Sequence, residues 1–116
     1  IIKEAIIAAD ELAKEGISCE IIDLRTVRPM DYDAILTSVR KTNRLVILEE
    51  AWPFGSIASE IAFQVQDKAF DYLDAPVQKI NTADTPAPYS PVLLEEWLPS
   101  AQDVIDAVNR VMYTKA

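Results

Sequence analysis

Two adjacent glutamates stand at the end of an apolar run that is typical of a buried strand. Glu49 and Glu50 follow the residues RLVIL, and the segment AWPFG comes after them. Paired carboxylates can act as a general acid and base when their surroundings drive their pKa values apart. Successive strand side chains point to opposite faces, so these two cannot converge on one substrate atom. We expect one of them to cap or salt-bridge near the strand end and the other to face solvent.

A second interpretation of the same place stays open. The carboxyl ends of parallel strands are where such sheets place their contacts. Gly55 and Ser56, at the start of the next predicted helix, could bind an anion through free amide groups, as any helix start could. The residue types in the chain argue against catalysis. There is no histidine, which is the commonest general base and metal ligand. The chain also has no GxGxxG, no CxxC and no phosphate-binding glycine loop.

The amino-acid composition limits the kinds of molecule that the protein could bind. The 116 residues carry a formal net charge of −8, so nucleic acid and anionic membranes are poor partners and a basic protein is a plausible one. No apolar run approaches the roughly 18 residues that a membrane span requires. The single cysteine, Cys19, cannot form an internal disulfide, which fits a reducing compartment.

The spacing of apolar residues predicts helices that alternate with strands. Helical stripes cover residues 2–13, 35–39, 57–65 and 104–112, and strand-like runs cover residues 17–25, 44–50 and 76–80. Gly16 marks the end of the first helix, Asp31 the start of the second, and Ser100 with Asp103 a capping box that opens the last. Residues 84–99 contain four prolines and no periodicity, and predict an ordered loop or extended strap.

This order of elements predicts an α/β fold with three layers, α/β/α, around a mostly parallel sheet. The length indicates one domain spanning residues 1–116. The chain starts inside its first predicted helix, where a strand would normally come earlier. We therefore interpret it as the C-terminal fragment of a longer protein.

Five motifs, in order and spacing, connect the chain to a known family. These are IIDLRTVRPMD (21–31), LVILEE (45–50), WPFG (52–55), YLDAP (72–76) and DTPAPYS (84–90). Together they resemble the C-terminal domain of the beta subunits of 2-oxoacid dehydrogenases, such as the decarboxylase component of pyruvate dehydrogenase. The segment LRTVRPMD alone marks the wider transketolase C-terminal family. The resemblance covers essentially the whole chain.

The resemblance implies an assembly role within an oxidoreductase that decarboxylates pyruvate. It also implies a location in the bacterial cytoplasm, or in the mitochondrial matrix if the source is eukaryotic. Thiamine diphosphate and magnesium would be bound elsewhere in the parent enzyme, so this piece would have no catalytic, cofactor-binding or metal-binding residue and no activity alone. Implied partners are the alpha subunit, a second beta subunit, and the basic subunit-binding domain of the acyltransferase. By position, Asp74 and the chain end at Ala116 would bind that basic domain. Glu49, Glu50, Trp52, Pro53 and Phe54 would form an interdomain loop.

The family fold also implies a structural difficulty. Its five-stranded, mixed sheet has two strands before the first helix, one of them central, and both are absent here. Unpaired strand edges favour pairing with another chain. The isolated fragment is therefore expected to self-associate.

Two alternatives remain open. The parent could be a branched-chain 2-oxoacid dehydrogenase or another thiamine enzyme, because the substrate pocket would lie outside this chain. The chain could also be a free-standing α/β binding or regulatory domain. The residues encoded upstream of Ile1 would decide between them.

Overall fold

The protein folds as alternating helices and strands, and the computed structural model describes its residues 1–113. In chain order the elements are α1 (Ile2–Lys14), α2 (Tyr32–Thr42), β1 (Val46–Leu48), α3 (Ile57–Ala69), the 3-10 turn Phe70–Tyr72, β2 (Gln78–Ile80), α4 (Pro91–Trp97) and α5 (Ala101–Val111). None of the helices in this part of the chain is long and apolar enough to cross a membrane.

The two strands form a small parallel sheet. Ile47 of β1 lies opposite Lys79 of β2, with the flanking residues in the same register. Backbone hydrogen bonds continue the pairing beyond the strands, because Glu49 N donates to Ile80 O at 3.0 Å and Thr82 N donates to Ala51 O at 3.0 Å. The strands predicted within residues 44–50 and 76–80 are confirmed.

Helices cover both faces of this sheet. On one face, Ile47 packs against a cluster from α2 and α3, which consists of Ile35, Leu36, Val39, Ile61, Val65 and Ala69. On the other face, Val46 and Leu48 pack against residues of α1, β2 and α5, which are Ala8, Ile80, Val104 and Ala107. The predicted three-layer α/β/α arrangement is therefore present.

Three predicted helix ends are confirmed by their local geometry. Gly16 follows α1 with φ of 84°, a left-handed conformation that glycine adopts without strain. Asp31 caps α2, since its Oδ1 accepts a hydrogen bond from Ala34 N at 3.1 Å. At the start of α5, Ser100 Oγ accepts from Asp103 N at 3.2 Å and Asp103 Oδ2 accepts from Ser100 N at 2.9 Å. This last pair is the reciprocal capping box.

The prediction of a strand at residues 17–25 is wrong. This segment has no regular secondary structure, and Ile21 and Ile22 remain 40% and 37% exposed. β-Branched residues favour an extended backbone, but a strand also needs a neighbour that supplies its ladder of hydrogen bonds. In the described residues β1 pairs with β2, and no strand pairs with residues 17–25. The composition was therefore a wrong guide to sheet membership.

The prediction of an irregular strap at residues 84–99 is also partly wrong. Residues Pro91–Trp97 form α4, with Pro91 at the start of the helix, where its missing amide proton costs nothing. No residue of α4 is fully buried, and Val92 and Leu93 are 69% and 55% exposed. A helix that buries no complete face leaves no helical periodicity in the sequence, which explains why the pattern did not indicate it.

The capping box of α5 gives a stability prediction. Replacing Ser100 by alanine removes the acceptor for the Asp103 amide, so we expect the free energy of unfolding to fall by about 1 kcal/mol. Ser90 is the matched control, because it is the N-cap residue of α4 but makes no side-chain capping bond. Ser90→Ala should change stability by less than about 0.5 kcal/mol in the same urea titration. Equal effects of the two substitutions would contradict the capping role.

Candidate functional site

The turn that carries Asp74 is anchored to distant parts of the chain. It follows the 3-10 turn Phe70–Tyr72 and leads into β2. Asp74 N donates to Asn43 O at 2.8 Å, and Asn43 Nδ2 donates to Tyr72 O at 2.9 Å. Tyr113 Oη donates to Asp74 O at 3.4 Å from the end of the described chain. The backbone of Asp74 is thus held by contacts from the end of α2 and from the region after α5.

The carboxylate of Asp74 points outward from this turn. Its side chain is 57% exposed, and its Oδ2 lies 3.9 Å from Nη1 of Arg44, near the outer limit of an ion pair. Arg44 is also engaged through its Nε, which donates to Val111 O at 2.9 Å. An exposed pair at this distance contributes little to stability. The Asp74 carboxylate is therefore available to a further cation.

An apolar depression borders Asp74, and we call it the Asp74 groove. It has a volume of about 540 Å³ and is lined by Ala62, Gln66, Phe70, Leu73, Asp74, Ala75, Pro76, Val77 and Tyr113. Sequence reasoning identified Asp74 and missed the aromatic residues around it. The segment AFDYLDAP places Phe70 four residues before the acid, without helical or strand periodicity, and Tyr113 lies 39 residues beyond Asp74. Ala116, which the sequence also assigned to partner binding, lies outside the described residues.

The glutamates at the strand end diverge, as the alternation of strand side chains predicts. Glu49 Oε1 accepts hydrogen bonds from Ala58 N at 3.2 Å and from Asn81 Nδ2 at 2.7 Å. Glu50 is exposed to solvent. Glu49 thus caps α3 in place of Ser56, which makes no side-chain capping bond. Because this carboxylate accepts from the Ala58 amide, Glu49 itself occupies the anion site that the sequence suggested at the start of α3.

The loop after the glutamates presents aromatic side chains to solvent. Trp52 is 51% exposed and Phe54 is 90% exposed. The loop is nevertheless held in place, since Pro53 O accepts a hydrogen bond from Lys79 Nζ. Trp52 Nε1 donates to Thr85 O at 2.8 Å, which ties the loop to the segment before α4. Trp52 and Pro53 of the predicted interdomain loop are therefore held by hydrogen bonds, and the loop leaves apolar surface exposed.

Groups suited to catalysis are scarce in the described chain. Within residues 1–113 no three His, Cys, Asp or Glu side chains are arranged to hold a metal ion. Burial raises the pKa of the Cys19 thiol, which lowers the fraction of reactive thiolate at neutral pH. The turn at Asp74 combines an exposed carboxylate with an adjoining apolar groove, and these are the features of the described chain that suit a partner.

Comparison with known proteins supports the family assignment. Residues 1–104 match the family model described as transketolase, C-terminal domain. Over 114 residues the chain is 50% identical to the pyruvate dehydrogenase E1 component subunit beta of Rickettsia bellii, an alignment that covers 98% of this chain and 35% of that protein. It is 47% identical over 111 residues to the acetoin:2,6-dichlorophenolindophenol oxidoreductase subunit beta of Bacillus subtilis, covering 96% of this chain and 32% of that protein.

A solved structure shows the same fold. The chain superimposes with a TM-score of 0.82 and 29% identity on a protein described as a split-gene transketolase, inactive beta4 tetramer, covering 98% of this chain and 37% of that one. The chain thus spans about a third of the length of the relatives reported above. Because the family model matches most of its residues, the chain belongs to the transketolase C-terminal domain family.

Proposed function

We propose that this chain is the C-terminal assembly domain of the beta subunit of a thiamine-diphosphate-dependent pyruvate dehydrogenase. The observation that carries the proposal is the 50% identity to a pyruvate dehydrogenase beta subunit across 98% of the chain. Two features of the chain agree with an assembly role. It has no histidine, and it carries an outward carboxylate beside an apolar groove.

The family resemblance implies that the cofactor is bound outside this chain. Within residues 1–113 no three His, Cys, Asp or Glu side chains are arranged to hold a metal ion. Only two glycines are present, which leaves little backbone for a phosphate cradle. We assign thiamine diphosphate, magnesium and the decarboxylation of pyruvate to other parts of the parent enzyme, as the resemblance to 2-oxoacid dehydrogenase beta subunits implies.

The proposed role has two surfaces. The loop of Trp52, Pro53 and Phe54 would face the neighbouring domain or subunits, namely the alpha subunit and a second beta subunit. Its exposed aromatic faces support this assignment, because large apolar side chains left in solvent are typical of interfaces. The beta4 assembly named for the structural relative is consistent with association between beta chains. The turn at Asp74 would dock the basic subunit-binding domain of the acyltransferase.

A second candidate is the same domain in an enzyme with another substrate. The 47% identity to the beta subunit of an acetoin oxidoreductase is close to the 50% identity to the pyruvate enzyme. This similarity favours a shared assembly domain whose sequence carries little information about the substrate. Assays of the parent enzyme with pyruvate, acetoin and branched-chain 2-oxoacids would distinguish the candidates.

The strand-end carboxylate gives a prediction about catalysis. In the parent enzyme Glu49→Ala should lower the free energy of unfolding by about 1–3 kcal/mol, because the Ala58 amide and the Asn81 side chain both lose their acceptor. The rate constant of decarboxylation per folded enzyme should stay within about twofold. Glu50→Ala, at an exposed position, is the control and should alter neither property. A hundredfold loss of activity with unchanged stability would identify Glu49 as a catalytic residue and contradict this assignment.

The turn at Asp74 gives a prediction about docking. In the assembled enzyme Asp74→Ala should weaken binding of the basic domain by about tenfold at low salt, and by less at high salt, because a charge pair is lost. Stability should change by less than about 0.5 kcal/mol, since the side chain is exposed. Calorimetric titration with the basic domain and thermal melting measure the two effects separately.

Asp71 is the matched control for this experiment. It is an exposed acid on the preceding 3-10 turn and does not line the groove. Asp71→Ala changes the net charge by the same amount and should leave the affinity within about twofold. If both variants weaken binding equally, the effect is one of overall charge. If Asp74→Ala lowers only the melting temperature, the docking role of Asp74 is wrong.

A further inference from the structure

The outer edge of β2 carries backbone groups that the described chain leaves unpaired. The backbone of Gln78 and Ile80 bonds to β1. Alternate residues of a strand direct their amide and carbonyl groups to opposite sides, so Lys79 and Asn81 direct theirs away from β1. Within residues 1–113 none of these outward groups has a hydrogen-bond partner, and no third strand lies beyond β2. This edge is therefore open to a further strand.

The side of α5 that borders this edge carries opposite charges at its two ends. A hollow of about 260 Å³ separates α5 from the edge, and it is lined by Lys79, Ile80, Asn81, Asp103, Asp106, Ala107 and Arg110. Arg110 lies beside the start of β2, since its Nη1 donates to Gln78 Oε1 at 3.3 Å. Asp103 and Asp106 lie on the same side of α5, closer to its N-terminus and to the end of β2. The border of the edge is thus positive where β2 begins and negative where it ends.

This distribution of charge is complementary to itself. If the β2 strands of two copies lie side by side and antiparallel, a two-fold axis relates the copies and the same surface is used by both. The positive end of each copy then meets the negative end of the other. A parallel arrangement would bring like charges together, which is unfavourable.

We propose that the free edge of β2 pairs with β2 of a second copy of this chain, in an antiparallel arrangement that continues the sheet across both copies. With the two-fold axis at Ile80, Lys79 lies opposite Asn81 of the second copy, and the two residues exchange both backbone hydrogen bonds. The symmetry repeats this pair, which uses every free amide and carbonyl group of the edge. The pairing goes beyond the proposed function and does not depend on it.

Side chains on the other face of β2 also complete each other in this arrangement. Asn81 Nδ2 donates to Glu49 Oε1 at 2.7 Å, while Asn81 Oδ1 is buried and has no hydrogen-bond partner in the described chain. Lys79 Nζ donates to Ser59 Oγ at 2.8 Å and to Pro53 O, which leaves one of its three hydrogens free. Side chains directly opposite on antiparallel strands have Cβ atoms about 4.5–5.5 Å apart, so Lys79 Nζ of one copy can reach Asn81 Oδ1 of the other.

A charge exchange across the two-fold axis is the first test. The full-length chain that carries this domain is analysed by sedimentation equilibrium at low and high salt. Arg110→Asp should weaken dimerisation at least about tenfold at low salt, because acids then face acids, and Asp106→Arg should do the same. Both effects should shrink at high salt. The double variant, Asp106→Arg with Arg110→Asp, again places opposite charges across the axis and should dimerise more tightly than either single variant.

Lys3 provides the control for overall charge. It is exposed on α1 and does not border the hollow. Lys3→Asp changes the net charge by the same amount as Arg110→Asp and should alter the dissociation constant less than about twofold. If the two variants weaken dimerisation equally, the effect is one of overall charge and the proposed pairing is wrong.

A second pair of variants tests the backbone hydrogen bonds. Lys79→Pro removes the outward amide hydrogen, and proline is tolerated on an edge strand when its nitrogen faces away from the sheet. Lys79→Ala removes the same side chain but keeps the amide, so it is the matched control. Dimerisation should be at least about tenfold weaker in Lys79→Pro than in Lys79→Ala, because each copy loses a backbone bond.

Hydrogen exchange of the unchanged chain keeps the test valid if Lys79→Pro does not fold. The amides of Lys79 and Asn81 should exchange rapidly in dilute solution and slowly at concentrations where the dimer forms. The Glu49 amide is the internal control, because it donates to Ile80 O at 3.0 Å within one copy. Its exchange rate should differ little between the two concentrations.

Three further results would overturn the proposed pairing. The first is a chain that stays monomeric at every concentration at which it is soluble. The second is a dimer that neither the charge reversals nor Lys79→Pro weakens, because such a dimer forms through another surface. The third is protection of the Lys79 and Asn81 amides only when a different protein is added, because that protein would then cover the edge. None of these measurements uses pyruvate or the basic domain, so their failure leaves the proposed function unchanged.

Discussion

Strand β1 divides the hydrophobic core into two parts, and the placement of the four longer helices follows from that division. Ile47 faces the cluster of α2 and α3, while Val46 and Leu48 face the cluster that α1 and α5 complete. A shift of one residue in this strand would exchange the two faces and place each side chain in the wrong layer. The parallel partner β2 reinforces the register, because Ile80 belongs to the second cluster and lies opposite Leu48.

Carboxylates connect elements of the domain that are distant in sequence. Glu49, at the end of β1, accepts from the Ala58 amide of α3. Glu4 of α1 accepts from Ala101 N of α5 at 2.9 Å. A carboxylate near a helix N-terminus satisfies a free amide and interacts favourably with the helix dipole. Part of the acidity of this chain is therefore structural, and paired acids in its sequence are a poor guide to catalysis.

The sequence predicted those elements whose pattern reflects burial or local hydrogen bonding. The two strands, the long helices, the glycine that ends α1 and the capping box at Ser100 all leave such patterns. Residues 17–25 were mispredicted because a strand depends on a neighbour that local composition does not reveal. The helix at Pro91–Trp97 was missed because it buries no face. The Asp74 groove could not be foreseen, because it forms only when Tyr113 and the end of α3 meet in space.

The geometry around Asp74 allows an exchange of ionic partners at low cost. Arg44 lies 3.9 Å away, and both side chains have access to solvent, so their attraction is weak and screened by salt. If an incoming cation takes its place, Arg44 keeps its bond to Val111 O and is not left without a partner. The backbone of Asp74 is hydrogen-bonded to Asn43 and Tyr113, and neither bond involves its carboxylate. A rigid turn with an exchangeable ion pair suits reversible docking, in which a partner must bind specifically without remodelling the domain.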